Sequence, residues 1–91
     1  MAIYAISYDL HKQGEMSYEN LIKAIKGYGD WCHFLESDWM IVSSRSAQAI
    51  RDELLPYIHK DDKLIVFQVT PEAAWHNLPA DVGEWLRWTL K

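Results

Sequence analysis

The chain lacks the residues on which several classes of protein depend. Only one of its 91 residues is a cysteine, Cys32, which excludes an intramolecular disulfide and a cysteine-rich zinc site. Glycine-rich phosphate-binding loops and the His-Glu-x-x-His zinc motif do not occur. The N-terminal segment has no basic stretch, and Asp9 interrupts its apolar run, so we expect neither a signal peptide nor a membrane anchor. These absences favour a cytoplasmic protein, in which the cysteine is a small buried residue.

Positive charge is also scarce. Nine lysines and arginines stand against thirteen aspartates and glutamates, which gives a net charge of −4. Domains that bind nucleic acid mainly through its phosphates are usually basic, so this balance disfavours a general nucleic-acid binder but leaves room for a local basic face. Aromatic residues are abundant instead, with five tryptophans and five tyrosines. Because each buries about 150–250 Å², they suit one small domain that gains stability from few residues or shares a core with a partner.

The hydrophobic pattern predicts alternating strands and helices. Residues 2–9 are apolar on both faces, which is typical of a central strand that is covered on both sides. Residues 18–28 carry apolar side chains at helical spacing, and Ser17 is a suitable N-cap. The other predicted elements are strands at 31–36, 39–44 and 63–69, a hairpin turn at 37–38, a helix from Ser46 to about Leu55, a helical turn at 70–72, and a short helix at 85–90 after a capping box at 81–84.

This order of elements predicts an α+β, ferredoxin-like βαββαβ domain over residues 1–70, with a four-stranded antiparallel sheet and two helices on one face. Residues 71–91 follow as a helical C-terminal tail that packs on the domain or on a partner protomer. Two helices cover only one face of a sheet, so the apolar second face needs the tail or a second copy as its cover. We therefore expect a homodimer that does not associate with membranes.

Asp9 is the strongest candidate for a functional residue. It ends the predicted central strand, directly after Tyr8. A carboxylate in this place is either a turn residue or a ligand of a hard cation such as Mg²⁺, which takes one or two protein carboxylates and keeps several waters. One aspartate alone is a poor site, but a two-fold axis would pair two copies of it. His11 follows in the loop, where it is either solvated, a proton donor or a contact to a phosphate.

Two further groups are candidate contacts to nucleic acid or protein. Lys12, Lys23 and Lys26 either belong to a solvated face or bind phosphates, and the helical pattern puts the last two on the solvent side of their helix. The second group contains tryptophans near the C-terminus, which either stack on bases or, more commonly, hold a core or a protein partner. Its members are Trp75, Trp85 and Trp88.

Three stretches of the chain resemble one known family. They are the strand end Tyr8-Asp9-Leu10, the helix end Lys26-Gly27-Tyr28-Gly29 with a hairpin after it, and the strand start Asp62-Lys63-Leu64. Together they fall within residues 2–70 and resemble the small CRISPR adaptation subunit, which is the homodimeric partner of the CRISPR integrase, and its relatives in the virulence-associated protein D family.

The resemblance implies a ferredoxin-like homodimer. Some members of the family are metal-dependent nucleases in which the aspartate that ends the first strand binds the metal, and this role falls on Asp9 alone. The family has a basic run after this aspartate, whereas residues 11–16 of this chain contain a single lysine, Lys12. The chain therefore resembles a divergent member, from a mobile element or a toxin–antitoxin system rather than from CRISPR adaptation itself.

Two hypotheses about function follow. In the first, the protein is a metal-dependent endonuclease that cleaves phosphodiesters of RNA or DNA. Mg²⁺ is then held by Asp9 of both protomers, Tyr8 orients the reacting groups, and His11 protonates the leaving oxygen. In the second, the protein is a non-catalytic dimeric interaction or regulatory module, in which Asp9 is structural and the tail binds a protein partner.

Overall fold

The protein consists of one antiparallel sheet with helices on both of its faces. The structure is a computed structural model, and it describes residues 1–11 and 18–90. Within these residues no helix has the length and the apolar content that crossing a membrane requires. The elements, in chain order, are β1 (Ala2–Asp9), α1 (Glu19–Lys26), β2 (Trp31–Leu35), β3 (Asp38–Ser43), α2 (Ala47–Leu54), a 3₁₀ turn (Leu55–Tyr57), β4 (Lys63–Gln68) and α3 (Ala80–Thr89).

The four strands lie in the order β2-β3-β1-β4, and every neighbouring pair is antiparallel. β3 lies between β1 and β2, and β1 lies between β3 and β4, so each helical crossover passes over a strand from the other half of the chain. β1 is thus an interior strand, as its two apolar faces predict. The prediction of an α+β fold with a four-stranded antiparallel sheet is confirmed.

Local sequence features set where the two crossover helices begin and end. The hydroxyl of Ser46 accepts a hydrogen bond from the N–H of Ala49 at 3.1 Å, which is the predicted N-cap of α2. Pro56 stops the regular helix, and the chain continues as the 3₁₀ turn. After α1 the chain turns toward β2 at Gly29, whose φ of 97° lies in the left-handed region that glycine adopts readily. The predicted N-cap of α1, Ser17, lies outside the described residues.

The side of the sheet on which α1 and α2 pack is called here the first face. Trp39 of β3 lies at its centre with only 1% of its surface exposed. Its indole N–H donates to the Tyr8 hydroxyl at 3.0 Å, and the His33 ring stacks on it with 3.9 Å between ring centroids. The fully enclosed cluster consists of Tyr4, Ile6, Leu21, Ile25, Trp39, Ile41, Ile50 and Leu54.

α3 packs on the opposite side of the sheet, the second face. Val82 and Leu86 of α3 form a second core with Cys32 of β2, and partly buried apolar residues of β1, β2 and β3 surround it. The Trp85 indole N–H also donates to the Asp30 carboxylate at 2.8 Å, which ties α3 to the start of β2. The helical part of the tail therefore packs on its own sheet.

α3 covers only part of the second face. On β4, Ile65 and Phe67 remain 56% and 46% exposed, while their neighbours Leu64 and Val66 are partly buried against the first core. The strand register pairs Ile65 with Ser7 and Lys63 with Asp9 of β1. We call this uncovered area, formed by Ser7, Asp9, Lys63, Ile65 and Phe67, the open half-face.

Two predictions about the tail are wrong. Residues 70–72 form no helical turn, and the chain runs irregularly from there up to Pro79. Asn77, in the same segment, has a φ of 61°, which a right-handed helix does not contain. α3 begins at Ala80, before the predicted capping box. Asp81 lies within the first turn and makes no capping hydrogen bond, so its charge is favourable there through the helix dipole instead.

The predicted hairpin turn is displaced by one residue. Asp38 belongs to β3 and pairs with both Leu35 and Ser7, so the turn consists of Glu36 and Ser37. The ladder is irregular between His33 and Leu35, because these two residues pair with the adjacent residues Trp39 and Asp38. β2 therefore has one residue more than β3 in this stretch. This bulge is the reason that a simple alternation of faces did not locate the turn.

Removing part of the second core tests whether α3 stabilises its own sheet. Leu86 is 3% exposed, and Leu86→Ala should lower the free energy of unfolding by about 2–5 kcal/mol because it leaves a cavity. Urea unfolding followed by tryptophan fluorescence measures this value. Glu84→Ala, on the exposed side of α3, is the control and should change stability by less than about 0.5 kcal/mol. Equal stability of the two variants would contradict the packing of α3 described here.

Candidate functional site

Asp9 lies at the exposed end of β1, on the open half-face. Its neighbour across the ladder is Lys63 of β4. The two residues line a shallow cleft of about 200 Å³, together with Ser7, Tyr8, Leu64 and Ile65. The carboxylate is therefore accessible from solvent and has a basic residue on the adjacent strand.

Tyr8 belongs to the opposite side of β1. Successive side chains of a strand point to opposite faces, so Tyr8 is on the first face when Asp9 is on the second. The Tyr8 hydroxyl accepts the hydrogen bond of the Trp39 indole. The structure thus does not bring this hydroxyl together with the Asp9 carboxylate, and the bond it makes fixes the end of β1 against β3.

His11 is placed by an aspartate whose role the sequence did not reveal. Its backbone N–H donates to Asp62 Oδ1 at 2.8 Å, and its side chain is exposed. Asp62 Oδ2 accepts two more hydrogen bonds, from the backbone N–H of His59 at 2.8 Å and from the Tyr18 hydroxyl at 3.0 Å. One carboxylate therefore joins the segment after β1, the start of α1 and the loop before β4.

The same contacts act on the ionisation of Asp62. Burial raises the pKa of this carboxyl, but the hydrogen bonds from His11, His59 and Tyr18 and the charge of His59 outweigh it, so the pKa lies below its ordinary value. In the sequence, Asp62 stands out only as the residue before the last predicted strand, and no periodicity or motif distinguishes it from its exposed neighbour Asp61.

The three candidate lysines do not share one site with Asp9. Lys23 and Lys26 are exposed on α1, as predicted, and Lys12 lies outside the described residues. The Lys26 ammonium is 5.0 Å from the centre of the Trp31 ring, which is a cation–π distance. Trp31 opens β2 in the same row of the sheet as Tyr4, so Lys26 lies toward the opposite end of the sheet from Asp9.

The three tryptophans of the tail differ in their environments. Trp85 is held by Asp30 and borders the second core. The indole nitrogen of Trp75 lies 3.5 Å from the position that a Cβ on Gly83 would take, which is an ordinary contact distance, so this ring lies beside α3. Trp88 is 66% exposed. Only Trp75 and Trp88 present large parts of their rings to solvent.

A second polar cluster joins α2 to the turn after α1. Glu53 accepts a hydrogen bond from the Tyr28 hydroxyl and forms an ion pair with Arg45. Burial, followed by the hydrogen bond to Glu53 and its negative charge, raises the pKa of Tyr28 above its ordinary value. These side chains satisfy one another, so the cluster has the character of a structural contact between helices.

The described residues contain no group of three or more histidine, cysteine, aspartate or glutamate side chains arranged to hold a metal ion. Asp9 has the oxygen donor that Mg²⁺ prefers, and Mg²⁺ sites with one or two protein carboxylates are common. One protomer offers a single such carboxylate beside Lys63. A second carboxylate would make this donor set a better fit for a divalent cation.

The chain matches no protein-family model and no curated protein sequence. The resemblance to the small CRISPR adaptation subunit therefore stays a prediction from the residues that carry it.

The hydrogen bonds of Asp62 predict a pH-dependent loss of stability. Because its pKa is lower in the folded state than the unfolded value of about 3.9, Asp62 stabilises the protein above that pH, and this stabilisation disappears as the pH falls through the folded pKa. At pH 7, Asp62→Ala should cost about 1–3 kcal/mol. Urea unfolding at several pH values should show the difference from wild type shrinking as the solution is acidified.

Asp61→Ala is the control for this measurement, since Asp61 is exposed and adjacent. Its effect should be small at every pH. If the two variants lose the same stability, or if the Asp62 effect does not change with pH, the carboxylate does not act as described.

Proposed function

We propose that this chain has a ferredoxin-like fold and is a divergent relative of the small CRISPR adaptation subunit, acting as a homodimeric, metal-dependent endonuclease. The strand order supports the fold assignment, because two βαβ units that each enclose a strand of the other are its defining feature. The observation that carries the functional proposal is the position of Asp9, exposed on the open half-face, where Ile65 and Phe67 are also uncovered by the described chain.

The open half-face has a shape that suits a second copy. α3 lies next to the open half-face and stands about one helix diameter, about 10–12 Å, above the sheet. Two sheets that pack face to face are separated by about 10 Å, which is a similar distance. Two protomers related by a two-fold axis can therefore bring their open half-faces together with each α3 at the border. Ile65 and Phe67, which are about half exposed in one protomer, would then be buried.

The same pairing duplicates Asp9. A two-fold axis repeats every residue, and an axis that runs along the strands would put both Asp9 carboxylates at the same end of the paired half-faces. Two carboxylates are enough to hold Mg²⁺ or Mn²⁺, which supplies charge neutralisation of the phosphate and activates a water when it is bound. Lys63 lies beside Asp9 and offers a positive charge to a phosphate oxygen.

The neighbouring residues take different parts in this proposal. His11, with an exposed imidazole after β1 and a backbone fixed by Asp62, protonates the leaving oxygen. Tyr8 keeps its hydroxyl on the Trp39 indole and therefore positions the end of β1, which carries Asp9, rather than contacting substrate. Lys23 and Lys26 contact more distant phosphates, from α1.

A second candidate function is a non-catalytic dimeric module of a mobile-element or toxin–antitoxin system. The pairing of Asp9 with Lys63 favours it, because opposite charges facing each other across a ladder stabilise a sheet without any metal. In this case the exposed rings of Trp75 and Trp88 bind a protein partner.

A nuclease assay with Asp9→Asn separates the two candidates. Highly purified wild-type protein should cleave RNA or DNA with Mg²⁺ or Mn²⁺ and lose this activity in EDTA. Asp9→Asn should lower the rate at least about a hundredfold, because the ligand charge is gone while the shape is kept. Asp61→Asn, which also neutralises an exposed aspartate, should cleave at the wild-type rate. Activity that survives in Asp9→Asn would exclude the proposed site.

Oligomeric state tests the open half-face separately. Phe67→Glu puts a charge into the proposed interface and should convert the dimer to a monomer in equilibrium sedimentation at micromolar concentration. Leu55→Glu is a matched control, since Leu55 is also 46% exposed but lies in the 3₁₀ turn, and it should remain dimeric. A monomeric wild type, or a dimeric Phe67→Glu protein, would contradict this interface.

A further inference from the structure

A cleft at the free edge of β2 is distinct from the Asp9 site. It has a volume of about 300 Å³ and runs between the strand and the first turns of α3. This size is at the lower end of the range for small-molecule sites, about 300–1,000 Å³. Its lining residues are Trp31, Cys32, His33, Asp81, Val82 and Trp85.

The lining combines aromatic walls with one acidic group. Trp31 and Trp85 come from opposite sides of the sheet and both line the cleft, which lies at the edge strand β2. Asp81 is exposed, in the first turn of α3. Burial, and then the charge of Asp81, raise the pKa of Cys32 to about 11, so this thiol stays protonated near pH 7 and is a poor nucleophile.

The two sides of the cleft carry opposite charges. Lys26 is on the first-face side, with its ammonium next to the Trp31 ring, and Asp81 is on the second-face side. A ligand with a planar group, hydrogen-bond donors at one end and an anionic group at the other would satisfy both charges. A nucleotide has these three features.

We infer that the cleft between β2 and α3 binds the base of an unpaired nucleotide, with the base among Trp31, Trp85 and Asp81 and the phosphate toward Lys26. The inference rests on the proposed function for its choice of nucleic acid among ligands of this chemistry. Trp31 and Asp9 lie two strands and five residues apart in the sheet, which corresponds to roughly 19 Å. The base site is therefore separate from the Asp9 rim.

Asp81 gives the site a preference among bases. A carboxylate accepts hydrogen bonds and has no hydrogen to donate, so it favours bases that present an amino group. Guanine, adenine and cytosine have an exocyclic amino group, whereas uracil presents carbonyl oxygens at the corresponding positions. Stacking on tryptophan contributes to the binding of all four bases.

Saturation-transfer NMR on the four ribonucleoside 5′-monophosphates, in EDTA, tests this inference without any cleavage. GMP, AMP and CMP should receive saturation from the protein more strongly than UMP. Trp31→Ala should weaken the binding of all nucleotides at least about fivefold, which is the lower end of the effect of losing one stacking partner. Asp81→Ala should leave binding measurable but remove the preference against UMP.

Two variants serve as controls, and both should bind like wild type. Glu84→Ala removes another exposed carboxylate from α3, and Trp88→Ala removes another exposed indole. Absence of saturation transfer to every nucleotide, equal binding of ribose 5-phosphate, or unchanged binding by Trp31→Ala would overturn the inference. Asp9→Asn should bind nucleotides normally. Wild-type protein that binds nucleotides in this assay but cleaves neither RNA nor DNA with Mg²⁺ or Mn²⁺ would count against the proposed function alone.

Discussion

The rest of the structure depends on one constraint, which is that β1 is apolar on both faces and lies inside a sheet of only four strands. A short chain must therefore cover two faces with three helices. α1 and α2 enclose the first face around Trp39, whose surface is 1% exposed. α3 is a single helix that covers the second face over β2, β3 and the start of β1, which leaves Ile65 and Phe67 of β4 in solvent. The uncovered area is a direct consequence of the number of helices, and it is where Asp9 lies.

The same arrangement creates two distinct places for chemistry. Because α3 packs toward the β2 side, it forms a cleft with the free edge of that strand, lined by Trp31 and Asp81. Because it does not reach β4, the Asp9 rim stays open. The stacked His33 and Trp39 rings and the bond from Trp39 to Tyr8 connect the two regions through the first face. A rigid aromatic layer thus fixes both the strand that carries Asp9 and the strand that borders the cleft.

The parts of the fold that follow from local chemistry were predictable from the sequence. A run of residues that is apolar on both faces located β1, and the Ser46 cap and Pro56 bounded α2. The parts that depend on distant contacts were not. Asp62 looks like an ordinary turn residue, since the groups that bind it come from other segments. The start of α3 differs from the prediction because Asp81 fits a capping box by spacing, whereas Pro79 precedes the first helical residue, Ala80. The hydrophobic periodicity of a single helix or strand does not indicate which half of the second face α3 covers.

The central claim is that two open half-faces pair and bring two Asp9 positions together. The most direct test is a spin label on Asp9→Cys, read by electron paramagnetic resonance. Cys32 is only 4% exposed and has a raised pKa, so it should not take up the label under mild conditions. The account predicts dipolar broadening between the two labels, which disappears when the labelled protein is diluted with an excess of unlabelled protein. A spectrum without broadening, from a protein that sediments as a dimer, would contradict the pairing of the Asp9 rims.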